Sequence, residues 1–161
     1  MQRRRSPTVK TPHWLSMWVS RPSHHLKDKP HLLEDSMEFR RTPIVLIAED
    51  ESLIAISYEE MVIEAGATVG GSFPTCKSAE EWLDFHHPDL AIIDIELRDG
   101  SSVELAKKLC GRNIPFFIVS GYPASQEVDD VFKSAPWIEK PLVFGALQSA
   151  LSDLLSSKQI H

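Results

Sequence analysis

Three short runs of almost purely apolar residues recur along the chain: Ile44 to Ala48 (IVLIA), Leu90 to Ile95 (LAIIDI) and Pro115 to Val119 (PFFIV). Each is too short for a helix, and a strand with one face in water would alternate polar and apolar residues. They are therefore predicted to be strands covered on both faces, as in a parallel sheet between two layers of helices. The intervening stretches have the composition of those helices. Leu53, Ile54, Ile56, Met61, Val62 and Ala65 recur at near-helical spacing beside Glu59, Glu60 and Glu64, and Gly66 supplies a stop. Ala67 to Phe73 reads as a second strand. Ser78 to Phe85 reads as a second helix, with Ala79, Trp82, Leu83 and Phe85 on one side and His86, His87 and Pro88 ending it. Ser102 to Cys110 is a third helix, Gln126 to Phe132 a short fourth, and Trp137 and Ile138 a short fifth strand. Leu142 to Leu155 closes the fold, with Leu147, Leu151, Leu154 and Leu155 inward. Five β/α units joined by right-handed crossovers give an α/β class: a five-stranded parallel sheet with helices on both faces.

Composition bounds the remaining choices. A chain of 161 residues, 42% hydrophobic and 25% charged, has room for about one soluble domain and is neither fibrous nor disordered. No apolar run reaches the roughly 18 to 20 residues of a membrane span. Cys76 and Cys110 lack any disulfide or zinc spacing, which suits a reducing cytoplasm. The net charge of −6 argues against direct nucleic-acid binding, but it is unevenly spread. Met1 to Ser36 holds seven basic and three acidic residues, a net of +4, which leaves −10 for the rest. That leading stretch contains Pro7, Pro12, Pro22 and Pro30 and four histidines, and shows no sustained period. Residues 1–42 are expected to be a flexible basic tail and 43–161 the folded domain. Trp14 to Val19 is too short and broken for a signal peptide, a tail without a frame is not expected to select a metal or phosphate, and Met37 is a candidate start of translation.

In an open parallel sheet, ligands gather beyond the carboxyl ends of the strands. Strand one runs out into Glu49 and Asp50, with Glu51 after them in a solvated loop or the first helical turn; strand three delivers Asp94. Strand four ends at Ser120 and Gly121, and the fifth is followed by Glu139, Lys140 and Pro141. Carboxylates crowded on one rim repel one another. A hard divalent cation such as Mg²⁺ relieves that repulsion and leaves sites for phosphate oxygens. Beside such an ion, a carboxylate can attack phosphorus while a lysine and a hydroxyl spread the developing charge. Asp94 is the expected nucleophile, since Ile92 and Ile93 bury its base, and Glu49 and Asp50 are the expected holders of the ion. Alone, Ser120-Gly121 is a turn and Lys140-Pro141 a helix entry; the joint pattern carries the reading.

With those residues in place, Pro43 to about Ser156 resembles a response-regulator receiver domain of two-component signalling. The resemblance rests on IVLIAEDE, LAIIDIEL, FFIVSGY and WIEKPL in that order and spacing. It implies a flavodoxin-like strand order of 2-1-3-4-5, Mg²⁺ bound by Asp50, Asp94 and the backbone carbonyl of Glu96, with Glu49 acting through water, and a phosphoryl group on Asp94 bound by Ser120 and Lys140. It also implies a cis Lys140-Pro141 bond. Many receivers place Pro-Gly soon after the phosphorylated Asp, where this chain has Glu96, Leu97, Arg98, Asp99 and Gly100. The aromatic three residues before the lysine is Trp137, bulkier than the usual Tyr or Phe, and Ser120-Gly121-Tyr122 resembles a subgroup of small regulators with a hydroxyl-Gly-Tyr motif. Ser120, Trp137 and Tyr122 are accordingly the expected switch residues, and an aromatic packing over the fourth helix is the rival reading of Tyr122.

No output domain is expected after the last helix, so the output is expected to be a partner protein bound through the fourth helix, fifth strand and fifth helix, a phosphorelay, or a phosphate sink. Val128, Val131, Phe132, Trp137 and Val143 are candidate anchors there, although most such residues are core. The first hypothesis is a cytoplasmic single-domain regulator, monomeric or weakly dimeric. It takes phosphate from a sensor histidine kinase or histidine phosphotransfer protein and is a phosphoacceptor, not an enzyme in the usual sense. Its rival is a receiver-like interaction module that works without phosphorylation. A third reading, an aspartyl-phosphate phosphatase, wants a second Asp where Glu96 stands.

Overall fold

In the computed structural model, residues 41–123, 128–133, 135–140 and 145–158 are described. The expected alternation is present. Strand β1 (Ile44–Ala48) leads to α1 (Ser52–Glu64), β2 (Thr68–Phe73), α2 (Cys76–Leu83) and β3 (Leu90–Ile93). After two short strands, β4 (Glu96–Leu97) and β5 (Gly100–Ser101), come α3 (Val103–Gly111), β6 (Phe116–Ser120), α4 (Asp130–Lys133), β7 (Trp137–Glu139) and α5 (Ala146–Lys158). Five strands form one parallel sheet in the order β2-β1-β3-β6-β7, the flavodoxin-like order expected of a receiver. Among the described residues no helix is long and apolar enough to cross a membrane.

Successive residues of a strand face opposite sides of the sheet, which explains why the strands are apolar throughout. Leu46, Ala48, Ala91, Ile93, Phe116 and Ile118 face one side, where Ala79, Leu83, Leu105, Leu109 and Phe132 from α2, α3 and α4 cover them. Val45, Ile47, Leu90, Ile92, Phe117 and Val119 face the other, against Tyr58 and Val62 of α1 and Leu151 of α5. At about 25 cal/mol per Å² of buried apolar surface, these two layers are the main favourable contribution to folding. Of the candidate partner anchors among the described residues, Phe132 is buried in the first layer, while Val128, Val131 and Trp137 are partly buried against it.

Several expectations change in register. The buried stripe of α1 is Ala55, Tyr58 and Val62, flanked by the partly buried Ile54, Met61 and Ala65, whereas Leu53 is 81% and Ile56 49% exposed. The opposite face mixes Leu53, Ile56 and Ile63 with Ser57, Glu60 and Glu64, and turning it inward would bury two carboxylates. Helix α2 starts two residues early because the Thr75 hydroxyl accepts from the Ser78 amide as an N-cap, and it ends before Phe85, which is exposed. Strand β3 stops at Ile93: Asp94 and Ile95 leave the ladder to enter an antiparallel β4–β5 hairpin that alternation did not reveal. Gly66 and Gly100, at φ 79° and 118°, make the turns that end α1 and close this hairpin.

Strand β6 begins one residue later than expected and carries Ser120 as its last member, while β7 extends through Glu139. Helix α4 is described over Asp130–Lys133 and α5 runs on to Lys158. Residues 1–40 of the expected tail, with Met37, the start of the fourth helix at Gln126, Pro141 with its peptide bond, Leu142, Val143, and the inward placing of Leu147, Leu154 and Leu155 all lie outside the described residues. Arg41, at the beginning of the described chain, pairs with Asp89 at 2.9 Å.

Candidate functional site

Three parallel strands in register bring the acidic residues together. Ile93 lies beside Ala48, and the Asp94 amide donates to the Ala48 carbonyl at 2.9 Å, so Asp94 emerges next to the residues that follow β1. Glu49 is fixed by its own amide, which donates to the Phe73 carbonyl of β2 at 3.0 Å. One carboxylate oxygen from each of Glu49, Asp50 and Asp94 lies within 4.8 Å of the other two. From the far side of the sheet, β6 and β7 bring in a cation: Ser120 pairs with Glu139, and the Lys140 amide donates to the Ser120 carbonyl at 2.7 Å. The Lys140 ammonium then reaches back to donate to Asp94 Oδ2 at 2.6 Å and Glu49 Oε2 at 2.7 Å.

Three side chains of the site are largely buried. The side chains of Glu49, Asp94 and Lys140 are 0%, 12% and 16% exposed. Burial pushes the Glu49 carboxyl up, and bonds from Lys140 and from the Glu51 amide at 3.0 Å offset only part of this, leaving it above the ordinary carboxylate range. Burial pulls the Lys140 ammonium down, but the bonds to Asp94 and Glu49 and their charges outweigh it, so it sits above an ordinary lysine. Three clustered carboxylates, two of them sharing one ammonium, leave excess negative charge among oxygen donors, which suits a hard divalent cation. Glu51 is exposed at the N-cap of α1, outside the cluster.

The remaining candidates surround this core. Glu96 is exposed in β4 and turns its amide toward Asp94 Oδ1 at 3.4 Å. Ser120 is buried, and its Oγ accepts from the Tyr122 amide at 3.2 Å. Trp137 Nε1 donates to the Tyr122 carbonyl at 3.0 Å, linking the expected switch residues through the turn after β6. Tyr122 itself is 47% exposed. Two contributors escaped the sequence reading. Ser102 is fully buried and its Oγ donates to the Asp94 carbonyl at 2.6 Å, fixing the backbone from which the carboxylate projects. Arg98 Nη2 donates to the Asp50 carbonyl at 3.0 Å. A serine before a helix reads as a cap, and an arginine in a charged loop as solvated; their partners lie 8 and 48 residues away, beyond any local signal.

Comparison with known proteins agrees with this geometry. The response regulator receiver domain model matches residues 45–152. The transcriptional regulatory protein PdtaR of Mycobacterium tuberculosis is 33% identical over 75 residues, which is 47% of this chain and 37% of that protein. The chain thus matches well under half the length of this relative. Among solved structures, the PhyR receiver domain of Erythrobacter litoralis aligns with a TM-score of 0.63 at 26% identity, covering 71% of this chain and 91% of that one. SdrG from Pseudomonas melonis Fr1, in its BeF3-activated conformation, aligns with a TM-score of 0.59 at 33% identity, covering 70% and 95%. With the family model spanning most of the chain, the chain belongs to the response-regulator receiver family.

Proposed function

We propose that the protein is a cytoplasmic single-domain response regulator whose Asp94 accepts a phosphoryl group from a sensor histidine kinase or a histidine phosphotransfer protein. Receiver domains are signalling modules that bind Mg²⁺ at an acidic pocket and interact with kinases and output partners, which is the frame for this reading. The observation that carries it is the largely buried Asp94 carboxylate, held 2.6 Å from Lys140 and within 4.8 Å of Glu49 and Asp50.

Asp50, Asp94 and the Glu96 carbonyl would hold Mg²⁺ directly, and Glu49 through water; the ion supplies charge stabilisation for the equatorial phosphoryl oxygens. Asp94 attacks phosphorus through one carboxylate oxygen. A P–O bond forms, the P–N bond to the donor imidazole breaks, and the imidazole keeps the electron pair and takes up a proton. Lys140 moves its ammonium from the Asp94 carboxylate toward the transferred group, and the Ser120 hydroxyl gives up the Tyr122 amide to donate to a phosphoryl oxygen. Releasing that amide loosens the turn that Trp137 holds, and Trp137 and Tyr122 pass the change to a partner protein. The protein assists its own phosphorylation and dephosphorylation and turns over no external substrate. The SdrG structure in a BeF3-activated conformation supports the same chemistry here, since fluoroberyllate imitates a phosphoryl group.

The test is incubation with acetyl phosphate and Mg²⁺ followed by intact mass. A gain of one phosphoryl group, lost in Asp94→Asn and on chelation, is expected. If no mass appears and fluoroberyllate also fails to bind, the protein is instead an interaction module that works without phosphate.

A further inference from the structure

The hairpin after Asp94 is tied to the rest of the rim at two points. Arg98 donates from Nη2 to the Asp50 backbone carbonyl at 3.0 Å and from its own amide to the Pro74 carbonyl at 3.3 Å. Asp99 accepts the first two amides of α2, from Cys76 at 2.7 Å and Lys77 at 3.0 Å. Leu97, just before them, is plugged into the apolar layer and Gly100 closes the turn. The pair thus joins three segments: the loop after β1, the start of α2, and the β4–β5 hairpin that carries Glu96.

We propose that Arg98 and Asp99 are positioning residues for the cation. This rests on the Mg²⁺-dependent phosphoacceptor reading above. Two of the oxygen donors, the Asp50 carboxylate and the Glu96 carbonyl, come from the loop after β1 and from the β4–β5 hairpin, two segments outside the five-stranded sheet. Arg98 ties those segments together through the Asp50 backbone oxygen, so the tie does not consume the carboxylate. Asp99 fixes the far side of the hairpin turn to a helix end, where the aligned amide dipoles favour its charge. The donors are braced before the ion arrives, and the ordering cost that would otherwise weaken binding is already met. Where a Pro-Gly turn would shape the loop through backbone restriction, this chain uses two charged side chains and a hairpin.

The experiment is Mn²⁺ binding to the full, unphosphorylated chain, followed by electron paramagnetic resonance, for the parent, Arg98→Ala, Arg98→Lys and Asp99→Ala. Circular dichroism in EDTA confirms that each is folded; both positions are exposed. Outer partners of metal ligands are typically worth 10- to 100-fold in affinity, so the alanine variants are expected to bind about 10-fold more weakly. Arg98→Lys should recover part of the loss. Phosphorylation by acetyl phosphate at saturating Mg²⁺ should reach the parent rate in every variant, with only the half-saturating Mg²⁺ concentration raised. Mn²⁺ affinities within about twofold of the parent in both alanine variants overturn the proposal. So does a lost saturated rate with affinity intact, which would put Arg98 on the phosphodonor. A parent that binds Mn²⁺ but is never phosphorylated refutes the phosphoacceptor reading, while the affinities still decide the positioning role. A parent that binds no Mn²⁺ refutes both.

Discussion

At Lys140 one ammonium is shared between two carboxylates, and its removal leaves two largely buried negative charges facing each other. Deleting one partner of a buried pair costs about 3–5 kcal/mol, and a divalent cation can replace the lost positive charge. Lys140→Ala is therefore expected to lose on the order of 3 kcal/mol of stability in EDTA and to regain much of it in Mg²⁺. Urea unfolding with and without the ion measures both, and equal losses in the two conditions would show that the lysine acts through packing alone.

Tyr58 poses a different problem: its ring is buried in the α1 layer and its hydroxyl has no hydrogen-bond partner among the described residues. Burial first, then the charges of Glu49, Asp94 and Glu51, raises the phenol far above an ordinary tyrosine. The fold thus favours the neutral form. Its contribution to stability is complete below the unfolded value of 10.0 and is lost as pH rises above it. In an alkaline absorbance titration, one of the chain's two tyrosines should ionise only as the protein unfolds, and Tyr58→Phe should abolish that phase. The same substitution should stabilise the protein near neutral pH by about 1 kcal/mol, since an unpaired buried hydroxyl costs about 1–3 kcal/mol and little volume is removed. A loss of stability would mean that the hydroxyl is bonded after all.

Among the elements, β6 and β7 show how far local pattern reaches. PFFIV marks a central strand because both sides of it are apolar, and β6 is that strand displaced by one residue. Helix α1 was harder: its two opposed stripes both hold branched residues at helical spacing, and the choice depends on which one the sheet can accept without burying Glu60 and Glu64. The β4–β5 hairpin was not legible at all, because a pair of two-residue strands has no period and its bonds run to Pro74, Cys76 and Lys77. The turn after β6 is held by Trp137 from β7. Trp137→Phe keeps the ring packing and deletes the indole donor, leaving the Tyr122 carbonyl to water. A partly exposed bond of this kind is worth about 1 kcal/mol, so global stability should fall by no more than that. Amide exchange at Gly121 and Tyr122 should speed up several-fold while Asp94 is still phosphorylated. Unchanged exchange would remove Trp137 from the signalling path.

For the whole molecule, the carboxyl rim was readable because doubly wound sheets put strand ends on one edge, so Glu49, Asp50, Asp94 and Lys140 could be grouped from the order of their strands. Their distances and the bridging of two carboxylates by one lysine could not, since both depend on register across four strands. That convergence has a thermodynamic consequence. A cation that binds the folded rim and not the unfolded chain stabilises by about 2.7 kcal/mol at 100 times its dissociation constant. For a domain of this size, that corresponds to a rise in Tm on the order of 10 °C. Mg²⁺ is expected to produce such a shift, NaCl at equal ionic strength only a small one, and chelation to reverse it. In Asp94→Asn the shift should shrink sharply, because one of the three carboxylates is gone. Differential scanning calorimetry of the two proteins across a Mg²⁺ series decides the matter: the same shift in both would place the ion somewhere other than this rim.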